Sequence, residues 1–344
     1  MERLIHSRFN VTRGVWRLRG SDRSIILKVV GPLPGGATDP DDRTGIHDRR
    51  REVEILDGGL PVAYRTAGIR GPALLRRIDR PATSQTAMFL EDVTGRPGAD
   101  WSLAEFGVAA RRLGRAQGRM ALDGAGETPP GWASRSFLRR YLENVERRER
   151  WSVIDDPAAW RAAATVGFEG PGLRDAANRL RASRVELLAF VEVGPRTICH
   201  LDVWPSNLFA GTDETIMIDW AFAGVGGLGE DLGNLVPDSV FDLILPSGVL
   251  AELDRTLFDA YAAGLRDSGW DGDLRRVRLT MCAAAVKYGW VGAASLRNAG
   301  QAVQTGYGGQ LLADPRRYYS ERAAVVRFLG DWASEALRLS AELR

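Results

Sequence analysis

Four polar side chains lying close together in the sequence could share one piece of chemistry: His200, Asp202, Asn207 and Asp219. They sit in Thr197-Ile198-Cys199-His200-Leu201-Asp202-Val203-Trp204-Pro205-Ser206-Asn207, continued by Leu208-Phe209-Ala210, Gly211-Thr212-Asp213-Glu214 and Thr215-Ile216-Met217-Ile218-Asp219-Trp220. Two apolar arms around a Gly-Thr-Asp-Glu turn predict a β-hairpin. Asn207 and Asp219 are equidistant from a centre at Asp213, so symmetric pairing would set them opposite each other, with Cα atoms about 4.5–5.5 Å apart. An amide oxygen beside a carboxylate makes a pair of hard ligands suited to Mg2+. Asp202, on the loop entering the hairpin, reaches the same space and offers an oxygen that can take a proton from a hydroxyl. Such a trio meets the needs of phosphoryl transfer, which depends mainly on positioning and charge neutralisation. His200 reads as a packed residue that keeps the loop backbone in shape.

The elements that must hold this stretch follow from patterning. Val15–Arg19 alternates, Gly20–Arg23 is a turn, and Ser24–Val30 is a strong β run, which together predict a hairpin. Thr44–Asp57 is helix-like and is stopped by Gly58-Gly59. Strand-like runs follow at Ala73–Leu75 and Thr86–Leu90, and Glu91–Gly98 reads as a linker. Beyond it Ser102-Leu103-Ala104-Glu105 is a capping-box start for a helix to about Ala121. Further helices are expected near 136–150, 157–165 and 172–191 and after 248, interrupted by the β island at 197–219. The expected fold class is α+β and bilobal. A small antiparallel-sheet N-lobe with one helix (residues 1–93) precedes a large, mainly helical C-lobe (residues 94–344).

Composition narrows the function classes. A net charge of +2 is too small to argue for a nucleic acid or a membrane surface as the main partner. The clusters Arg49-Arg50-Arg51 and Arg147-Arg148 read as solvated helix faces. Two cysteines, Cys199 and Cys282, stand in no metal or redox spacing, and the N-terminus lacks the apolar run of a signal peptide. A cytoplasmic location is the expectation. Only two of the 46 basic residues are lysines, Lys28 and Lys287. A lysine in the middle of an apolar strand, as Lys28 is, points to a need for a compact ammonium rather than a guanidinium fork.

His200-x-Asp202-x4-Asn207 followed by Ile218-Asp219-Trp220 resembles the catalytic and metal loops of the aminoglycoside phosphotransferase/choline kinase family, relatives of the protein kinases. The resemblance covers most of the chain. It implies Asp202 as catalytic base and Asn207 and Asp219 as Mg2+ ligands. Two departures stand out: Leu201 replaces a frequent Gly, and Trp220 stands where protein kinases have Phe-Gly. In the kinase-like pattern Lys28 would bind the α- and β-phosphates of ATP and pair with a helix glutamate, Glu52, with Glu54 as the other candidate. Asn10-Val11-Thr12-Arg13-Gly14 would cover the phosphates. Phe89 to Val93 would form the hinge, with backbone groups of Glu91 and Val93 on adenine and Phe89 behind it. Asp231 would support the catalytic loop, and the glycines between 224 and 233 would suit the loop that replaces an activation segment. No P-loop sequence is present.

The resemblance implies an ATP- and Mg2+-dependent transfer of phosphate to a hydroxyl of a small molecule: an aminoglycoside-like antibiotic, a sugar or an amino alcohol. The acceptor would meet Trp204, Glu230, Asp238, Asp242, Tyr288 and Trp290. The competing reading is a nucleotide-binding pseudokinase, but none of Lys28, Asp202, Asn207 or Asp219 is missing.

Overall fold

The computed structural model describes residues 1–4, 11–33, 42–148, 150–305 and 311–344. Strand β1 (Glu2–Arg3) pairs with β2 (Thr12–Arg19), and β2 with β3 (Ser24–Val30), in the predicted hairpin. Helices α1 (Arg51–Gly58) and α2 (Val62–Thr66) follow, then strands β4 (Ile69–Arg70), β5 (Leu74–Arg80) and β6 (Gln85–Glu91). Strand β6 lies between β3 and β5 in an antiparallel sheet of order β1-β2-β3-β6-β5. Asn10 of the expected phosphate-covering turn lies outside the described residues, and Thr12–Gly14 already belong to β2.

The expected helix over 44–57 starts only at Arg51. The residues before it are held by side chains instead. The Asp42 carboxylate accepts the amides of Thr44 and Gly45, and the Arg51 guanidinium donates to the carbonyls of Arg43, Gly45, Trp132 and Ala221. Carbonyls turned toward a side chain leave an α-helical ladder unformed. Arg51 is 0 % exposed, so the reading of Arg49–Arg51 as a solvated face fails at its last member.

The remainder is mostly helical. Strand β7 (Arg96–Pro97) leads into α3 (Leu103–Leu122), whose start is the predicted capping box of Ser102 and Glu105. Helices α4 (Phe137–Arg148), α5 (Pro157–Thr165) and α6 (Leu173–Val193) precede the strands β8 (Arg196–Cys199), β9 (Leu208–Ala210), β10 (Thr215–Met217) and β11 (Gly224–Gly227). Then come α7 (Glu230–Phe241), α8 (Leu250–Asp267), α9 (Leu274–Ala283), α10 (Trp290–Ala299) and α11 (Pro315–Glu342). One small sheet has the order β4-β10-β9-β7, and β11 pairs with β8.

Three features depart from the sequence reading. The first 93 residues hold a second helix, α2. Strand β4 leaves the first sheet to run parallel to β10, so the segment 62–70 crosses the expected lobe division. The glycine-rich stretch after 224 is a strand and a helix start rather than a loop. Its glycines mark close packing: a Cβ on Gly224 would lie 2.0 Å from Ser134 Oγ.

One crossing positions the site. Helices α3 and α8 approach so closely that a Cβ on Gly114 would fall 2.2 Å from the Tyr261 carbonyl oxygen. That approach lets the Tyr261 hydroxyl donate to Gln117 Oε1 at 2.6 Å. Gly114→Ala is expected to destabilise the fold by about 1–3 kcal/mol, the usual effect of overpacking, read as a shifted urea midpoint. No helix among the described residues is long and apolar enough to cross a membrane.

Candidate active site

The hairpin forms, but its register differs by one residue from the symmetric expectation. Ala210 pairs with Thr215, Phe209 with Ile216 and Leu208 with Met217, around a two-residue turn in which Asp213 has φ 57°. The centre therefore falls between Thr212 and Asp213. Asn207 faces Ile218, whose amide donates to the Asn207 carbonyl at 3.0 Å, and not Asp219. Asp219 sits one step further, in the left-handed region at φ 61° and ψ 64°.

There Asp219 meets Lys28. The Lys28 Nζ lies 2.6 Å from Glu52 Oε2 and 2.8 Å from Asp219 Oδ1, so Glu52 and not Glu54 is its helix partner. Lys28 and Glu52 are 5 % and 3 % exposed. Burial alone would lower the lysine pKa, yet the flanking carboxylates of Asp219 and Glu52 hold it above the usual range. Burial would raise Asp219, and the Lys28 ammonium overrides it and keeps the carboxyl below its ordinary value. Glu52 is pushed up by burial, against the pull of Lys28.

Asp202 and Asn207 share a second contact. The Asn207 Nδ2 donates to the Asp202 carbonyl at 2.9 Å and to Asp202 Oδ2 at 3.2 Å. With its amide hydrogens engaged, Asn207 keeps its carbonyl oxygen as the group it can offer to a cation. Burial pushes the Asp202 carboxyl up to about 6, while Lys287 opposes the rise.

The loop carrying Asp202 is held from below. Asp231, fully buried, accepts the His200 amide at 3.0 Å, the Leu201 amide at 2.7 Å and Gln117 Nε2 at 2.6 Å. Asn234 Nδ2 donates to the Leu201 carbonyl at 3.1 Å. These bonds fix Leu201 at φ 66°, a left-handed conformation that costs a non-glycine residue roughly 1–2 kcal/mol. The Gly-to-Leu departure thus falls on a position where glycine would be unstrained, and packing of the leucine with Ile46, Phe137 and Cys199 offsets the strain. His200 is buried, and burial pushes its imidazole down to about 4. In its neutral form Nε2–H donates to the Ile218 carbonyl at 3.0 Å and Nδ1 accepts the Asp202 amide at 3.3 Å. This ring ties the two halves of the motif together.

The hinge expectation changes in one respect. Lys28 pairs with Met88 in the sheet and Leu27 with Phe89, so Met88 shares the Lys28 face and Phe89 lies on the opposite one. The Glu91 amide donates to the Ala73 carbonyl, while its side chain binds Arg70. Val93 follows just beyond β6 and is partly exposed.

Of the residues expected to meet an acceptor, Tyr288 donates to Asp238 Oδ2 at 2.6 Å, and burial pushes the Asp238 carboxyl up to about 7. Trp204 and Asp242 are partly exposed. Trp290 packs edge-on against Phe241. Glu230 is 3 % exposed and its Oε2 accepts the Gly227 amide at 2.9 Å.

Sequence reasoning missed Gln117, Asn234 and Lys287. Gln117 gave a faint signal as a polar residue between the small residues Ala116 and Gly118. Lys287 gave a stronger one, being the only lysine besides Lys28. Because Asp231 serves three donors at once, Asp231→Ala is expected to destabilise the fold by about 3 kcal/mol in urea unfolding, as unpaired buried donors do.

The phosphotransferase enzyme family model matches residues 14–278. No curated protein matches the sequence. Among solved structures, an amicoumacin kinase in complex with AMP-PNP and Ca2+ is similar, with a TM-score of 0.54 at 13% identity over 95% of this chain and 88% of that one. A choline/ethanolamine kinase family protein from Mesorhizobium loti gives 0.49 at 17% identity, covering 94% and 91% of the two chains. An aminoglycoside-3'-phosphotransferase of type VIII gives 0.47 at 22% identity, covering 84% and 93%. The family match spans more than half of the sequence, and the antiparallel sheet and helical remainder agree with it: the chain belongs to the phosphotransferase enzyme family.

Proposed function

We propose that this kinase moves the γ-phosphate of ATP to a hydroxyl of a small molecule, an antibiotic, sugar or amino alcohol, with Asp202 as the base. The observation that carries this reading is the convergence of Glu52 and Asp219 on the Lys28 ammonium, beside the bonded pair of Asp202 and Asn207. Lys28 binds phosphate oxygens from its place between two carboxylates, and Glu52 keeps it there. Asp202 accepts the acceptor's proton, while the Asn207 amide and the His200-to-Asp231 contacts hold its carboxylate and backbone.

The residues present fit Mg2+. No group of three His, Cys, Asp or Glu side chains able to hold a metal occurs among the described residues. Two protein oxygens nonetheless suit an ion that takes its other ligands from phosphates and water. Asn207 and Asp219 would hold it, and its charge would offset that on the transferred group.

A screen of hydroxylated small molecules for stimulated ATP consumption tests the reading and identifies the acceptor. Asp202→Ala is expected to lower the stimulated rate by about 10²–10⁴-fold, the range for a general base, with Mg·ATP affinity by calorimetry nearly unchanged. Retained turnover in that variant would refute the base assignment.

A further inference from the structure

Lys287 has no part in the assignments above, yet it lies against the same loop. It sits on the short helical turn Ala284–Tyr288 between α9 and α10 and is 5 % exposed. Its Nζ donates to the Leu201 carbonyl at 3.5 Å and lies 5.4, 5.3 and 5.6 Å from the ring centroids of Phe137, Tyr141 and Tyr288. Leu201 is the left-handed residue immediately before Asp202. Three aromatic faces steer the ammonium, and a single carbonyl of the catalytic loop receives it.

The charges around it point the same way. Asp202, Glu230, Asp231 and Asp238 all lie within the field of Lys287, which favours the ionised form of each. Burying an ammonium carries a desolvation penalty of several kcal/mol, which an apolar side chain of similar length would avoid. Stability alone is therefore a weak reason for a lysine here. Composition adds an independent observation: 44 of the 46 basic residues are arginine, and both lysines converge on the candidate site. Lys28 stands on its nucleotide side and Lys287 on the side of Asp202 and the acceptor.

We propose that Lys287 is a positioning residue for phosphate transfer: its ammonium holds the Leu201 carbonyl and counters the surrounding carboxylates, so that Asp202 stays aimed at the acceptor hydroxyl. This inference rests on the phosphotransfer reading. It differs from a packing role because the charge, and not the volume, does the positioning.

Lys287→Met keeps the stem and removes the charge, and Lys287→Arg keeps the charge. ATP consumption with the acceptor found by screening, nucleotide affinity and melting temperature would be measured for both variants. Lys287→Met is expected to lower kcat by about 10–100-fold, the scale of loss from a misplaced catalytic group, with nucleotide affinity and melting temperature essentially unchanged. Lys287→Arg is expected to recover part of the lost kcat. Full turnover by Lys287→Met overturns the inference, as does a folded Lys287→Arg no better than Lys287→Met. Should Lys287→Met fail to fold, the activity of Lys287→Arg alone decides. A wild-type chain that consumes no ATP with any acceptor overturns the phosphotransfer reading itself and this inference with it, an outcome distinct from equal turnover in wild type and variant.

Discussion

One way to offset the desolvation penalty of several kcal/mol on a buried ammonium is opposite charge at close range. Lys28 finds it in Glu52 at 2.6 Å and Asp219 at 2.8 Å, and in doing so joins three segments that are distant in sequence. It comes from the middle of β3, Glu52 from α1, and Asp219 from just beyond β10. The sheet, its helix and the β9–β10 hairpin are thereby held at one point. A guanidinium would spread the charge over a plane, whereas an ammonium concentrates it where two carboxylates can share it.

Around that point the chain uses buried polar groups to hold backbone in shapes that regular elements do not supply. Arg51 gathers four carbonyls from three segments. Asp231 gathers two loop amides and Gln117, which in turn is held by Tyr261 across the α3–α8 crossing. Each of these groups is satisfied by several partners, the condition under which a buried polar network rigidifies rather than weakens a fold. Two left-handed residues, Leu201 immediately before Asp202 and Asp219 itself, are held in place by these contacts and by the Lys28 pair.

Much of this was legible in the sequence because the chemistry needs particular residue types at particular spacings. The motif from His200 to Asp219, the strand lysine and the capping box at Ser102 are such signals. The hairpin register was not legible: two apolar arms fit a centre on a residue or between residues, and only the two-residue turn decides. The sheet face that Phe89 takes was not legible either, because the register of β6 against β3 sets which residues sit beside Lys28. Arg51 looked like one of a solvated run, since composition cannot show that the segment before α1 offers it carbonyls. The glycines from 224 on looked like a loop, although Gly224 packs against Ser134, Gly226 against Cys199 and Gly227 against Thr280. The significance of Lys287 was within reach, because the argument from rarity applied to both lysines.

The account's central claim is that Asn207 and Asp219 present a shared cation site beside the Lys28 ammonium, despite the one-residue offset in their register. The most direct test is a crystal structure of the protein with a non-hydrolysable ATP analogue and Mn2+, with the ion located by anomalous scattering. The account predicts a peak within ligand distance of both the Asn207 side-chain oxygen and the Asp219 carboxylate, with Lys28 on the nucleotide phosphates. A nucleotide-bound structure whose ion touches neither side chain would contradict it.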